Sequence, residues 1–208
     1  MPIGGAVMPQ SIAARGQNPF PLVLHYRSVR MTDQDFFRLC RDNEDFLFEL
    51  SAEGDLIIMT PPSPKTSWRN AIIVGDLAAW TKSDGTGVCF ESSAMFSLPN
   101  GAKRAPDAAW MLKSRWDALT EEEQDGFGRF APDFAVELRS RTDRVKHLKA
   151  KMAEYIANGA RLGWLIDPLQ HRVYIYRRDH EPEVLDDPAS LSGEDVLHGF
   201  VFNVRQIW

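Results

Sequence analysis

The sequence predicts one α/β domain with a central mixed sheet. Two observations carry this prediction: a strand–helix–strand pattern within residues 131–176, and two short apolar runs around residues 46–59 that are typical of a β-hairpin. A strand, a helix and a strand at this spacing form a crossover unit, so its two strands are expected to lie parallel. The chain has 208 residues, 44% of them hydrophobic, which suits a single large domain.

The crossover unit can be followed residue by residue. Apolar side chains alternate with polar ones over residues 134–138, which indicates a strand. Thr142 or Asp143 offers an N-cap for the next element, and apolar residues at helical spacing then predict a helix that ends at residues 158–159, an Asn-Gly pair. The apolar run at residues 162–166 predicts the second strand.

The rest of the chain is expected to supply shorter elements. Residues 1–18 are predicted to form a flexible arm, and residues 19–208 the single domain. The loop at residues 60–64 is too rich in proline for a regular element. The remaining predicted helices cover residues 32–41, 67–81 and 119–123, and the remaining predicted strands cover residues 88–92, 95–98, 108–112, 173–175, 184–185 and 200–202.

Glu137 is the unusual residue, because it places a carboxylate in the middle of an otherwise apolar strand. Such a group is costly to bury unless it is paired or holds a metal ion. Asp133 lies four residues away, about 13 Å along the strand, which is too far to share an ion. Asp107 begins another short strand after Pro106, and if the two strands are neighbours the carboxylates lie about 5 Å apart, close enough to chelate one divalent cation.

Simpler interpretations of these acids stay open. Asp107 after a proline is also typical of a residue that only ends a turn, and Glu137 could be a buried acid paired with Arg139 or Arg104.

Charge and composition narrow the function classes. The chain has 24 Lys and Arg against 29 Asp and Glu, a balance that argues against non-specific nucleic-acid binding as the main role. Cys40 and Cys89 lie far apart without metal-ligand spacing, which favours reduced thiols in a cytosolic protein. No apolar run approaches a membrane span and the N-terminus lacks the apolar core of a signal peptide, so a cytoplasmic location without membrane attachment is expected.

Several motifs resemble one known family. Four segments are similar to the Uma-two family, whose members are described as putative restriction endonucleases of the PD-(D/E)XK nuclease superfamily. These segments are FLFELSAEGDLIIMTPPS, RAPDAAWM, PDFAVELRS and DRVKHLKAKMAEYIANGARLGWLIDP. The resemblance covers residues 22–208 and is most specific over residues 132–168. It implies a restriction-endonuclease-like mixed sheet flanked by helices with an extra N-terminal β-hairpin. It also implies a Mg²⁺ cofactor, for which Mn²⁺ could substitute, and hydrolysis of phosphodiester bonds in DNA.

The resemblance assigns site residues position by position. Asp107 matches the superfamily aspartate, Glu137 the second acidic metal ligand, and the backbone carbonyl of Leu138 a further ligand. Glu49, in the family's Glu-Leu before the hairpin, is a possible supporting residue.

The lysine of the superfamily pattern is missing from its usual place. Arg139 stands two residues after Glu137, and arginine cannot act as a base, although it can neutralise phosphate charge. Lys149 and Lys151 lie at the two edges of the apolar stripe of the following helix, and periodicity does not choose between them. The resemblance favours Lys151.

Three function classes therefore remain. The first is a metal-dependent endonuclease, expected to be a homodimer because symmetric pairs commonly cut both strands of DNA. The second is a catalytically silent nuclease fold that binds DNA or a protein. The third is another hydrolase that uses the paired carboxylates as acid and base.

Overall fold

The computed structural model describes residues 21–25, 31–59, 61–126 and 128–208. The predicted arm at residues 1–18 lies outside this range. In the described part of the chain the helices are α1 (Asp33–Asp42), α2 (Pro64–Asp84), α3 (Lys113–Trp116), α4 (Glu121–Asp125) and α5 (Val145–Ala157), followed by a 3₁₀ helix (Val204–Ile207). The strands are β1 (Leu22–Leu24), β2 (Leu47–Leu50), β3 (Leu56–Met59), β4 (Gly87–Glu91), β5 (Phe96–Ser97), β6 (Lys103–Arg104), β7 (Ala108–Leu112), β8 (Phe134–Leu138), β9 (Leu162–Asp167), β10 (Arg172–Arg177), β11 (Glu183–Asp186), β12 (Leu191–Ser192) and β13 (Val201–Phe202).

The larger sheet has six strands in the order β11-β10-β9-β8-β7-β4. Strands β8 and β9 are parallel, and the other neighbours are antiparallel. The helix between β8 and β9 is α5, so the predicted parallel pair joined by a helix is confirmed. Helix α2 packs on one face of this sheet through Ile73 and Leu77, and α5 packs on the other through Met152 and Tyr155.

The second sheet has five strands in the order β1-β3-β2-β6-β5. The predicted hairpin is confirmed as the antiparallel pair of β2 and β3, in the middle of this sheet. One face of it is buried against α1, where Phe36 of the helix packs with Phe48, Leu50 and Leu56. Strands β12 and β13 form a separate two-stranded ribbon.

Two predicted helix starts are wrong, each for a local reason. Helix α2 begins at Pro64 rather than near residue 67, because Ser63 caps it and proline is well suited to the first helical position. Helix α5 has Arg144 as its N-cap, not Thr142 or Asp143. The Asp143 carboxylate instead accepts a hydrogen bond from the Ser140 N–H at 2.7 Å and so closes the preceding turn.

The register of β7 and β8 determines which side chains lie opposite each other at the candidate site. Ala108 of β7 pairs with Val136 of β8 in an antiparallel ladder. Continuing this register by one residue places Asp107 opposite Glu137, at the end of the ladder that lies nearest the second sheet.

No helix in the described part of the chain is long and apolar enough to cross a membrane.

Candidate metal and phosphate site

A cleft of about 690 Å³ lies between the second sheet, the facing ends of β7 and β8, and the N-terminal half of α5. Four of the five predicted charged residues of the site, Glu49, Asp107, Glu137 and Lys151, line this cleft, whereas the fifth, Arg139, does not. They come from four different elements or their ends, so only the tertiary fold brings them together.

Asp107 is held by two N–H donors. The Asn70 side chain on α2 donates to its Oδ1 at 2.8 Å, and the backbone N–H of Leu138 donates to its Oδ2 at 2.7 Å. Burial nevertheless raises the pKa of Asp107 above its ordinary value. The aspartate therefore bridges α2 and β8, and it does more than end a turn.

Glu137 is only 3% exposed. Its Oε1 accepts a hydrogen bond from the Tyr155 hydroxyl at 3.1 Å and lies 2.8 Å from the Lys151 Nζ. Burial, reinforced by the negative charges of Asp107 and Glu49, raises the pKa of Glu137 to about 8, although Lys151 opposes the shift. Burial thus favours the protonated, neutral form of Glu137 over its ionised form.

Lys151 lies between two carboxylates. Its Nζ is 2.7 Å from Glu49 Oε1 and 2.8 Å from Glu137 Oε1, and it donates to the carbonyl of Ala105 at 3.0 Å. Burial alone would lower the pKa of Lys151, but the two glutamates raise it above its ordinary value. The lysine is therefore a fixed positive charge at the end of the Asp107–Glu137 pair.

A second cation extends the network behind Lys151. Arg104 of β6 pairs with Glu49 at 3.1 Å and with Glu154 of α5 at 2.6 Å. Burial opposes the ionised form of Glu49, but Lys151 and Arg104 together lower the pKa of that carboxylate below its ordinary value. Two cations, Lys151 and Arg104, balance two carboxylates, Glu49 and Glu154, and this balance leaves Glu137 and Asp107 as additional acids without a full counter-charge.

Arg139 and Lys149 point to other surroundings. The Arg139 guanidinium lies 2.7 Å from Asp167 Oδ2 at the end of β9, and Arg139 is not among the residues that line the cleft. The Lys149 ammonium lies over the Tyr174 ring, 4.0 Å from its centre. Of the two lysines that periodicity left open, the structure brings Lys151 to Glu137.

The donor set fits a hard divalent cation. Asp107 and Glu137 offer carboxylate oxygens at one end of two adjacent strands, and Leu138, whose carbonyl is the further predicted ligand, also lines the cleft. Among the described residues no group of three or more His, Cys, Asp or Glu side chains could hold a metal ion. Mg²⁺ is commonly bound by one or two carboxylates and completes its shell with water, so two acids suffice for it. Burial raises the pKa of both acids because it disfavours their ionised forms, and a bound cation would offset that cost.

Comparison with known proteins places the chain in a family. The profile of the Uma2 family, described as "Putative restriction endonuclease", matches residues 33–205. The chain belongs to the Uma2 family. No curated protein gives a significant match.

This Uma2 chain shares its fold with a protein from Anabaena variabilis. The crystal structure of that protein is described as that of "a putative nuclease belonging to DUF820". The two superpose with a TM-score of 0.70 and 21% sequence identity, over 86% of this chain and 97% of the Anabaena chain. The predicted restriction-endonuclease-like fold is thereby confirmed.

Three residues of the candidate site were not predicted as site residues from the sequence. Tyr155 fits the helical apolar stripe and is fully buried, yet its hydroxyl donates to Glu137. Asn70 lies in the middle of α2, and Glu154 was not distinguished from other helix carboxylates. Periodicity carries no signal for these roles, because each depends on a partner from a distant part of the chain.

Proposed function

We propose that this Uma2 protein is a Mg²⁺-dependent endonuclease that hydrolyses phosphodiester bonds in DNA, with Mn²⁺ able to substitute. The observation that carries the proposal is that Asp107, Glu137 and Lys151 line one cleft. The register of β7 and β8 sets Asp107 opposite Glu137, and the Lys151 Nζ lies 2.8 Å from Glu137. The family description and the Anabaena nuclease support the same reaction class.

Each residue of the site would have a separate role in metal binding or in hydrolysis. Asp107, Glu137 and the Leu138 carbonyl would hold the cation. A bound divalent ion lowers the pKa of a coordinated water and stabilises charge on phosphate oxygens. Lys151, a compact positive charge that two glutamates keep protonated, would hold the attacking hydroxide. Glu49 and Tyr155 would keep Lys151 and Glu137 in place through the contacts they already make.

One observation favours the alternative of a catalytically silent fold that binds DNA or a protein. Lys151 is already paired with two carboxylates, and the usual lysine position holds Arg139, which is paired with Asp167. A silent site would keep these ion pairs as structural contacts and would use the cleft only for binding.

Calorimetric titration of Mg²⁺ together with plasmid cleavage tests the proposal. Asp107→Ala and Glu137→Ala should each abolish metal binding and cleavage, because each removes one of only two carboxylate ligands. Glu53→Ala is the matched control, since Glu53 is an exposed acid that lines the same cleft, and it should bind Mg²⁺ like the wild type. Metal binding that persists in both site variants would contradict the assignment. Saturable Mg²⁺ binding without cleavage of either a plasmid or a single-stranded oligonucleotide would favour the silent fold.

The proposed working form is a homodimer in the cytoplasm. A single site cuts one strand at a time, and twofold pairs are the commonest oligomers. Cys40 and Cys89 are both free thiols, as a reducing compartment would keep them. Light scattering that finds a monomer at tens of micromolar protein would contradict the dimer.

A further inference from the structure

One wall of the cleft is apolar. Four apolar side chains share one face of the second sheet. Val23 pairs with Ile57, and Leu47 pairs with Met59, across antiparallel ladders. All four line the cleft, and Glu49 continues the same face towards the metal site. Val23 is 39% exposed and Leu47 is 45% exposed, so the wall is open to a ligand.

The rim of the other wall is basic. Arg144, the N-cap residue of α5, lies on the same side of the helix as Lys151, and Arg141 precedes them in the loop after β8. Arg141 and Arg144 are exposed and form no ion pair with any described residue, in contrast to Arg104 and Lys151 deeper in the cleft. The two rim arginines are therefore available to phosphate groups.

The two walls together suit one kind of polymer. A nucleic-acid strand with unpaired bases carries phosphates along one side and flat, largely apolar base faces on the other. A duplex hides its base faces in the stack and would bring charged phosphates against Val23, Leu47, Ile57 and Met59, which offer them no hydrogen bond. The volume of about 690 Å³ is that of a small-ligand pocket, which suits a few nucleotides of one strand.

From this geometry we propose that the cleft binds a DNA strand whose bases are unpaired next to the scissile phosphate. The apolar wall packs against a base, Arg141 and Arg144 hold the flanking phosphates, and the Asp107–Glu137 pair faces the phosphate between them. This inference rests on the proposed nuclease function and names its substrate class.

Binding is measured by fluorescence anisotropy in EDTA, so that no cleavage occurs, with a labelled single-stranded oligonucleotide and the matching duplex. The wild type should bind the single strand at least tenfold more tightly. The double variant Val23→Thr/Leu47→Thr keeps strand-forming residues but makes the wall polar, and it should weaken single-strand binding about tenfold. Val184→Thr is the matched control, because Val184 is an equally exposed strand valine outside the cleft, and it should bind like the wild type.

The salt dependence tests the arginines separately. Arg141→Ala and Arg144→Ala should each flatten the slope of log K against log salt for the single strand by about 0.7. Lys146→Ala removes a charge from the exposed side of the same helix, away from the cleft, and should leave the slope nearly unchanged.

The outcomes separate this inference from the proposed function. Duplex binding as tight as single-strand binding, or equal losses in the wall variant and in Val184→Thr, would overturn the strand proposal even if a plasmid is cleaved. Preferential single-strand binding that depends on the wall and the arginines would uphold the strand proposal even if Mg²⁺ produced no cleavage. The absence of cleavage would then count against the proposed nuclease function alone.

Discussion

At the scale of single residues, the proton on Glu137 links the site to the stability of the fold. Burial, together with the neighbouring carboxylates, raises the pKa of Glu137 from 4.5 to about 8. The folded state therefore holds this proton more tightly than the unfolded chain does. The stabilising contribution of Glu137 is fully present below about pH 4.5 and is lost as the pH rises through about 8. Binding of a cation to the ionised carboxylate would offset this loss.

The first prediction follows from that proton. In EDTA, the free energy of unfolding of the wild type should fall between about pH 5 and pH 8 more steeply than that of Glu137→Gln, whose side chain is always neutral. Urea denaturation at several pH values measures the difference, and Glu53→Gln should follow the wild type because Glu53 is exposed. Parallel pH profiles for the wild type and Glu137→Gln would show that Glu137 is already ionised in the folded protein.

The second prediction compares two lysines on one helix. Lys151→Ala removes the cation beside Glu137 and should keep Mg²⁺ binding while slowing cleavage by about 10²–10⁴-fold. Lys149→Ala removes a charge that lies over Tyr174 and should leave the cleavage rate almost unchanged. Single-turnover cleavage with calorimetry separates the rate from metal affinity. Equal rate losses in the two variants would rule out a special role for Lys151.

At the scale of elements, Arg139 connects the end of β8 to the turn after β9. Its guanidinium lies 2.7 Å from Asp167, which is 0% exposed. The other oxygen of Asp167, Oδ1, accepts hydrogen bonds from the backbone N–H groups of Leu169 and Gln170, and these bonds shape the turn into β10. Arg139 therefore supports the parallel pair at the end that carries Glu137, whereas its predicted contact with phosphate stays a prediction.

The third prediction measures this support. Arg139→Ala leaves the buried Asp167 carboxylate without its counter-ion and should lower the free energy of unfolding by about 3–5 kcal/mol. Arg172→Ala is the control, because the Arg172–Asp186 pair on β10 and β11 is exposed and its loss should change stability very little. Chemical denaturation of both variants provides the measurement. A small effect of Arg139→Ala would mean that Asp167 is satisfied by its turn alone.

The elements that the sequence predicts well are those with long periodic patterns. Strands β8 and β9, helix α5 and the β2–β3 hairpin all have such patterns. Helix starts are harder to predict, because a capping side chain such as Asp143 can bond to a preceding turn instead. Strand β6 has only two residues and no pattern at all, and its position depends on pairing with β2 and β5.

At the scale of the whole molecule, the site forms where the two sheets meet. Glu137 lies in the six-stranded sheet and Asp107 directly precedes its strand β7, whereas Glu49 and Arg104 belong to the five-stranded sheet. Sequence order and family pattern could propose Asp107, Glu137 and Lys151 one by one. They could not reveal that Arg104 holds Glu49 against α5, because this contact depends on the packing of separate sheets.

The fourth prediction tests that junction. Arg104→Met removes the cation shared by buried Glu49 and partly buried Glu154, and Glu49 then keeps only Lys151, so the protein should lose about 3 kcal/mol of stability. The loss falls on contacts between the sheets, so the five-stranded sheet should unfold at a lower urea concentration than the rest. Fluorescence of Trp110 and Trp164, buried in the six-stranded sheet, should then report a later transition than far-UV circular dichroism.

A matched arginine provides the control for this test. Arg177 on β10 also pairs with two carboxylates, those of Glu183 and Glu194, but it lies away from the junction of the sheets. Arg177→Met should therefore shift both signals together. If the two transitions of Arg104→Met also coincide, the sheets unfold as one cooperative unit without Arg104, and the junction must be held by its apolar contacts instead.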